Sequence, residues 1–300
     1  NSLLLRLGMR LSKVKPELAA ATAKAAIEGG IMSEAKDMCR VKHIAGGRDE
    51  DKNPVALRFQ KDDYIGQGKV KISQTFMNHL QATNDPRIAV FCSLKDGNAD
   101  PSIQKGLPNG YDKNTISTNS DYTGKLEDYS NFNTNVILRE DAPTLLLMPS
   151  ESKLLQAEAA LRNWVAGDPE ALYKEAIRLS MQEQKEAYGV SISEQQVNDY
   201  LAQNLFTNAA SQEEKLEVLG NEYWVTTFMN GYESYANWRR CGYPKLTPTH
   251  YAGNESNGQI PRRLPYAIDE YTINKANVEQ AVQQQGADNL NTRIWWDVAK

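Results

Sequence analysis

The stretch from Ser211 to Pro244 constrains this chain more than any other. Bulky apolar residues recur through it as Leu216, Leu219, Tyr223, Trp224, Val225, Phe228, Tyr232, Tyr235 and Trp238. Val225, Phe228, Tyr232 and Tyr235 stand at i, i+3, i+7 and i+10, the spacing of one helix face. Ser211 with Glu214 three residues on is a capping-box signal, because hydroxyl and carboxylate can each satisfy an orphan amide of the first turn. At the far end Gly242 can take the left-handed position and Pro244 blocks continuation, while Arg239 and Arg240 sit where the last carbonyls favour positive charge. The spacing predicts one long aromatic helix. Gly231 in its interior costs about 1 kcal/mol against alanine, so it marks a close helix contact or a bend.

Most of the remaining segments also read as helices. Leu3, Leu7, Leu11 and Val14 form a stripe predicted to be buried, ending at Pro16, which opens a second, alanine-rich helix to Glu28. Ile72 to Leu80 is a short helix, and Asn84-Asp85-Pro86-Arg87 a turn. Ile88-Ala89-Val90-Phe91 then reads as a buried strand, and Val55 to Phe59 as a short one. Pro149 to Trp164 and the segment opened by Asp168-Pro169-Glu170 make a helical hairpin across Gly167, its length and patterning suggesting a tetratricopeptide-type unit of about 34 residues. Ser193 enters a helix within Val190 to Leu205, and Asn274 to Gln285 forms another.

Composition removes several function classes. A net charge of −4 over 300 residues leaves no basic footprint, so nucleic acid is not an expected partner. No apolar run is long enough to span a bilayer. Cys39, Cys92 and Cys241 are too scattered for a disulfide framework or thiolate metal motif and read as buried free thiols. His43, His79 and His250 lack metal spacing. Asp96, Asn98 and Asp100 alternate like the first ligands of an EF-hand, but Pro101 and Leu107 stand where glycine and glutamate belong. No nucleophile elbow, phosphate-binding loop or dinucleotide fingerprint occurs, so no catalytic residue, cofactor or metal site is assigned. A glycosidase needs only two carboxylates facing across a cleft, which leaves no linear signature.

The aromatic segment ending in Trp238-Arg239-Arg240-Cys241-Gly242-Tyr243-Pro244 resembles the SusD/RagB group of outer-membrane nutrient-binding lipoproteins. Ile260-Pro261-Arg262-Arg263-Leu264-Pro265-Tyr266 and Thr292-Arg293-Ile294-Trp295-Trp296-Asp297 resemble its next signatures in order, as do Asn1 to Val14, the Asp85-Pro86-Arg87 step and Leu107-Pro108-Asn109-Gly110. Cys241 stands where threonine is expected, and Ala267 where proline is. The resemblance implies a mainly α fold, a tetratricopeptide-like helical-repeat scaffold with long irregular loop insertions. Residues 1–300 would then be a fragment of one such domain, with an insertion over 95–135 and an irregular region over 245–300. It further implies a longer precursor with a secretion signal, a lipid-bearing cysteine and more helices ahead of Asn1. The implied activity is cell-surface capture, in a Bacteroidetes-like source, of a glycan or oligosaccharide, or a peptide, for delivery to a SusC-like TonB-dependent transporter. The membrane would be met only through that lipid anchor, absent from this chain.

The family's ligand contacts vary, so the binding residues come from the composition of the insertion itself. Between Lys95 and Asn135 the chain turns strongly polar, and a loop of that length is functional or disordered. Tyr111, Tyr122, Tyr129 and Phe132 alternate there with Asn109, Asp112 and further amides and carboxylates. Rings can stack on the C–H faces of a sugar while amides and carboxylates meet its hydroxyls. Asn109, Tyr111, Asp112, Tyr122, Tyr129 and Phe132 are therefore the candidate ligand-binding residues. The alternative is a surface loop whose rings pin it to the scaffold. Arg239-Arg240 and Arg262-Arg263 read as ties between helix end and C-terminal loop rather than an anion clamp, and Trp295-Trp296 as a packing plug. A cell-surface glycoside hydrolase and a helical-repeat adaptor that binds only protein stay open as other readings.

Overall fold

The computed structural model describes residues 1–61, 70–249 and 251–299. Among them twelve α-helices alternate with short strands and long loops, the mainly α, tetratricopeptide-like architecture expected. His250 lies outside the described residues.

α1 (Ser2–Arg10) and α2 (Pro16–Glu28) form the first hairpin. The buried side of α1 carries Leu5, Gly8 and Met9, while Leu3 and Leu7 remain 52% and 56% exposed. The predicted stripe is thus on the wrong face. Close approach decides the matter: a Cβ on Gly8 would stand 2.7 Å from the Thr22 methyl of α2, whose Ala19, Ala23 and Ala26 are all buried. A count of large apolar residues misses a face built from small ones.

β1 (Cys39–Val41) pairs antiparallel with β4 (Thr144–Leu147). Cys39 is exposed, against expectation; Cys92 is buried and Cys241 half-buried. Val55 to Phe59, expected as a short strand, lies within α3 (Pro54–Lys61). Buried Asn53 accepts from the amides of Val55 and Ala56, and Pro54 takes the first helical position, so an amide cap followed by proline outweighs the β-branched content. α4 (Gln74–Ala82) is capped by Ser73, which accepts from Phe76 N. The apolar run 88–91 is a helical turn, α5 (Ile88–Phe91), and not a strand; Ile88 N is already committed to Asp85 O. Only the next two residues, β2 (Cys92–Ser93), extend, pairing with β3 (Asn131–Phe132).

α6 (Pro149–Leu161) and α7 (Pro169–Tyr188) form the predicted hairpin, with Asp168 capping α7 and left-handed Gly189 ending it. α8 (Glu194–Gln203) has the full capping box of Ser193 and Gln196. The segment 211–244 is two helices and not one. α9 (Gln212–Thr226) starts at the predicted Ser211–Glu214 box and ends at Thr227, whose hydroxyl bonds back to Tyr223 O. Met229 has φ 72°, and Asn230 then caps α10 (Gly231–Cys241) by accepting from Glu233 N. Asn230 and Glu233 are a second start signal inside the apolar pattern. Gly231 opens α10 with nothing near its missing Cβ. The close contact belongs to Gly220, where a Cβ would meet that of Tyr243 at 2.4 Å. α11 (Glu270–Ile273) and α12 (Lys275–Gln285) close the helical part.

Two apolar cores result. One is built from α1, α2, α6, α7, α8 and α9; the other gathers Met77, Leu80, Phe91, Ile137 and Leu138 with Val225 of α9. Between them lies fully buried Arg87, whose guanidinium reaches Asp85 at 2.6 Å, Glu222 at 2.7 Å and Ser180 at 2.8 Å. Burial opposes its charge, but the two carboxylates raise its pKa further still.

Candidate functional site

The polar insertion is ordered, and its base explains why. Buried Gln104 donates to Asn98 O and Asp100 O and accepts from Ser130 Oγ, closing the loop on itself. Leu107 N donates to Ile72 O and Leu107 O accepts from Gln74 N, both at 2.8 Å, seating the loop on the start of α4. A Cβ on Gly106 would stand 2.4 Å from Gln74 Cα, so only glycine allows that seat. Asp96, Asn98 and Asp100 spend their side chains on amides two residues ahead.

The candidate residues divide into three groups. Phe132 packs into the second core against Phe228 and Phe59. Tyr129 is 2% exposed, and its hydroxyl donates to Asp121 O and accepts Thr123 N. These two rings pin the loop, as the alternative reading has it, and Tyr129 has no open face to stack on a ligand. Half-buried Tyr122 lies parallel on Tyr129, ring centroids 5.8 Å apart. Asn109, Tyr111 and Asp112 come together at the far end of the loop, where Tyr111 is 41% exposed.

There the loop meets a segment that composition did not single out. Tyr251 Oη donates to Asp112 Oδ2 at 2.7 Å, and Gly110 packs on Thr249. The Tyr251 hydroxyl, followed by bonds from Asn114 N and Thr115, holds the Asp112 carboxyl down at about 2. Between the two segments opens a hollow of about 540 Å³, within the range of small-ligand sites. Asn109 is the one candidate residue that lines it, with Ser73 and Thr75 at the start of α4 and Thr249, Glu255 and Gln259 of the later segment; Tyr111 and Asp112 do not line it. Its apolar surface includes the half-buried Trp224 indole, held edge-on against Phe76. The signal was present in the sequence: residues 246–260 mix tyrosine, threonine, asparagine and glutamate as the insertion does.

Of the first doubled arginines, Arg239 ties helix to loop as expected, while Arg240 ties α10 to α6. Arg240 makes paired 2.7 Å bonds to Glu158. Burial would raise the Glu158 carboxyl, but Arg240 and then Arg162 outweigh it and hold it at about 2. Arg239 donates to Arg262 O, stacks over Tyr235 at 4.2 Å and over Trp296 at 4.8 Å, while Arg262 covers Trp238 at 4.3 Å. Trp296 is thus the packing plug expected of the pair, and Trp295 is 65% exposed. Tyr232, expected on a helix seam, is 94% exposed. His43 bonds Thr144 and His79 rests on Trp224. Among the described residues no group of three side chains is placed to hold a metal ion, and no helix is long and apolar enough to cross a membrane.

A family model, SusD-like_2, described as starch-binding and associating with outer membrane, matches residues 1–267. The chain belongs to the SusD-like family. Solved SusD-like structures share the fold. A chitin-binding protein superposes with a TM-score of 0.85 at 29% identity, covering 99% of this chain and 63% of its own. A chitin-binding SusD homologue from Flavobacterium johnsoniae gives 0.78 at 28% identity, over 100% of this chain and 62% of that one. A SusD homologue from Bacteroides uniformis ATCC 8492 gives 0.80 at 25% identity, over 99% and 64%. The chain therefore spans somewhat less than two thirds of these relatives. No curated protein matches it.

Proposed function

We propose that this SusD-like chain captures a glycan at a bacterial cell surface and binds it without converting it. The observation that carries the reading is the hollow, where Asn109 of the insertion and the aromatic-and-amide segment 246–261 meet over a half-buried indole. Trp224 and Tyr251 offer ring surface in the hollow, with exposed Tyr111 two residues from Asn109, and Asn109, Thr249 and Gln259 offer groups for sugar hydroxyls, the mixture such a ligand needs. The SusD-like membership and the chitin-binding relatives support a carbohydrate over a peptide. Attachment to the outer membrane through a lipid anchor and delivery to a SusC-like TonB-dependent transporter complete the proposal, the family's description supporting the outer-membrane association and the sequence resemblance implying the rest. Among the described lining residues Glu255 is the one carboxylate; Asp112, close by, is occupied by Tyr251 and its own turn. A glycosidase would need a facing pair.

Titration calorimetry with neutral oligosaccharides tests the site. Asn109→Ala and Tyr111→Ala should each weaken binding by about 1–3 kcal/mol, the range for loss of a stacking ring or a well-placed polar contact. Unchanged affinity in both would move the site elsewhere. Chromatography of a bound oligosaccharide after long incubation should return it intact, and shorter products would overturn the non-catalytic reading.

A further inference from the structure

The described walls of the hollow carry charge of one sign. Among its described lining residues there is no lysine or arginine, and Glu255 is exposed with no hydrogen-bond or ionic partner among them. Asp112 adds a second carboxylate beside the mouth, bonded to Tyr251. The cations that flank segment 246–261 in sequence are all engaged elsewhere. Lys245 pairs with Glu217, Arg263 bonds Asp288 at 2.7 Å, and Arg262 covers Trp238 and reaches Asp297. Where this fold neutralises a carboxylate of its own, it repeatedly brings an arginine to it, as Arg240 shows with Glu158. Among its described lining residues the hollow has no such group for an incoming anion.

We propose that the hollow selects uncharged glycans and turns away acidic ones, with Glu255 as the residue that sets this preference. The inference rests on the reading of the hollow as the glycan site. A uronate or sulfated sugar entering it gives up water without gaining a counter-charge, and does so beside a free carboxylate. A neutral sugar loses nothing comparable, because its hydroxyls can donate to the same Glu255 oxygens.

The test is calorimetry on the full chain with probes of matched length: an N-acetylated chito-oligosaccharide, a malto-oligosaccharide and an oligogalacturonate. At low ionic strength the acidic probe should bind at least about tenfold more weakly than the better neutral one. Glu255→Gln should narrow that ratio severalfold and Glu255→Lys should narrow it further. Salt of about 1 M, which shortens the screening length to about 3 Å, should also narrow it in the unaltered chain. Equal binding of acidic and neutral probes, or a ratio that ignores both substitutions, overturns the inference and leaves the site reading standing. Failure of every probe to bind overturns the two together. Neutral binding untouched by Asn109→Ala and Tyr111→Ala removes the site reading, and the preference with it.

Discussion

Tyr251 and Asp112 carry more of the site than their exposure suggests. Asp112 ionises at about 2, chiefly because the Tyr251 hydroxyl donates to it. A carboxylate depressed in the fold contributes above its ordinary pKa near 3.9 and loses that contribution as pH falls toward 2. The clasp is therefore intact at neutral pH and opens only in strong acid. Tyr251→Phe should move the Asp112 titration, followed by carbon NMR, back toward ordinary carboxylates; an unmoved titration would rule the tyrosine out as its cause. Glu183 behaves in the opposite sense. Burial pushes its carboxyl up to about 7, against the hydrogen bonds from Ser150 that favour its charge. Stability from such a group is present below its ordinary pKa and lost as pH rises through 7. The loss should be on the order of 3 kcal/mol between pH 4.5 and 8. Glu183→Gln should flatten that part of the melting profile, and an equally steep profile in the variant would locate the effect elsewhere.

Helices and their junctions show what a linear pattern can and cannot carry. The starts of α2, α7, α8 and α9 were legible because each signal is local, a cap or a proline within one turn. The break between α9 and α10 was hidden because Phe228 and Tyr235 keep helical spacing across it, while Asn230 does the capping. The buried face of α1 was misread because Gly8 and the α2 alanines contact through smallness, which hydrophobicity does not score. Two glycines on either side of the junction give a paired test. Gly220→Ala forces its methyl against Tyr243 and should lower stability by about 1–3 kcal/mol. Gly231→Ala meets open space in a helical turn and should be neutral or gain about 0.5–1 kcal/mol. Thermal melts that reverse this order would contradict the packing described for α9.

Across the whole molecule, the two apolar cores share one ionic node. Arg87 joins the turn before α5 to Glu222 on α9 and Ser180 on α7. Replacing it by methionine leaves Asp85 and Glu222 buried without their cation, and should cost about 3–5 kcal/mol by chemical denaturation. A small loss would mean that water relieves the node. The fold class and the polar insertion could be read from sequence because each is a property of contiguous residues. Most of the hollow could not, since Asn109 alone of the candidate residues lines it, and residues 246–261 are joined to the insertion only by tertiary contacts such as Tyr251 with Asp112. That bond makes the two segments interdependent. Grafting segment 107–112 from a relative without its companion would strand one member of the pair, so retargeting the protein to a new sugar requires moving both segments as a single cassette onto an unaltered helical chassis.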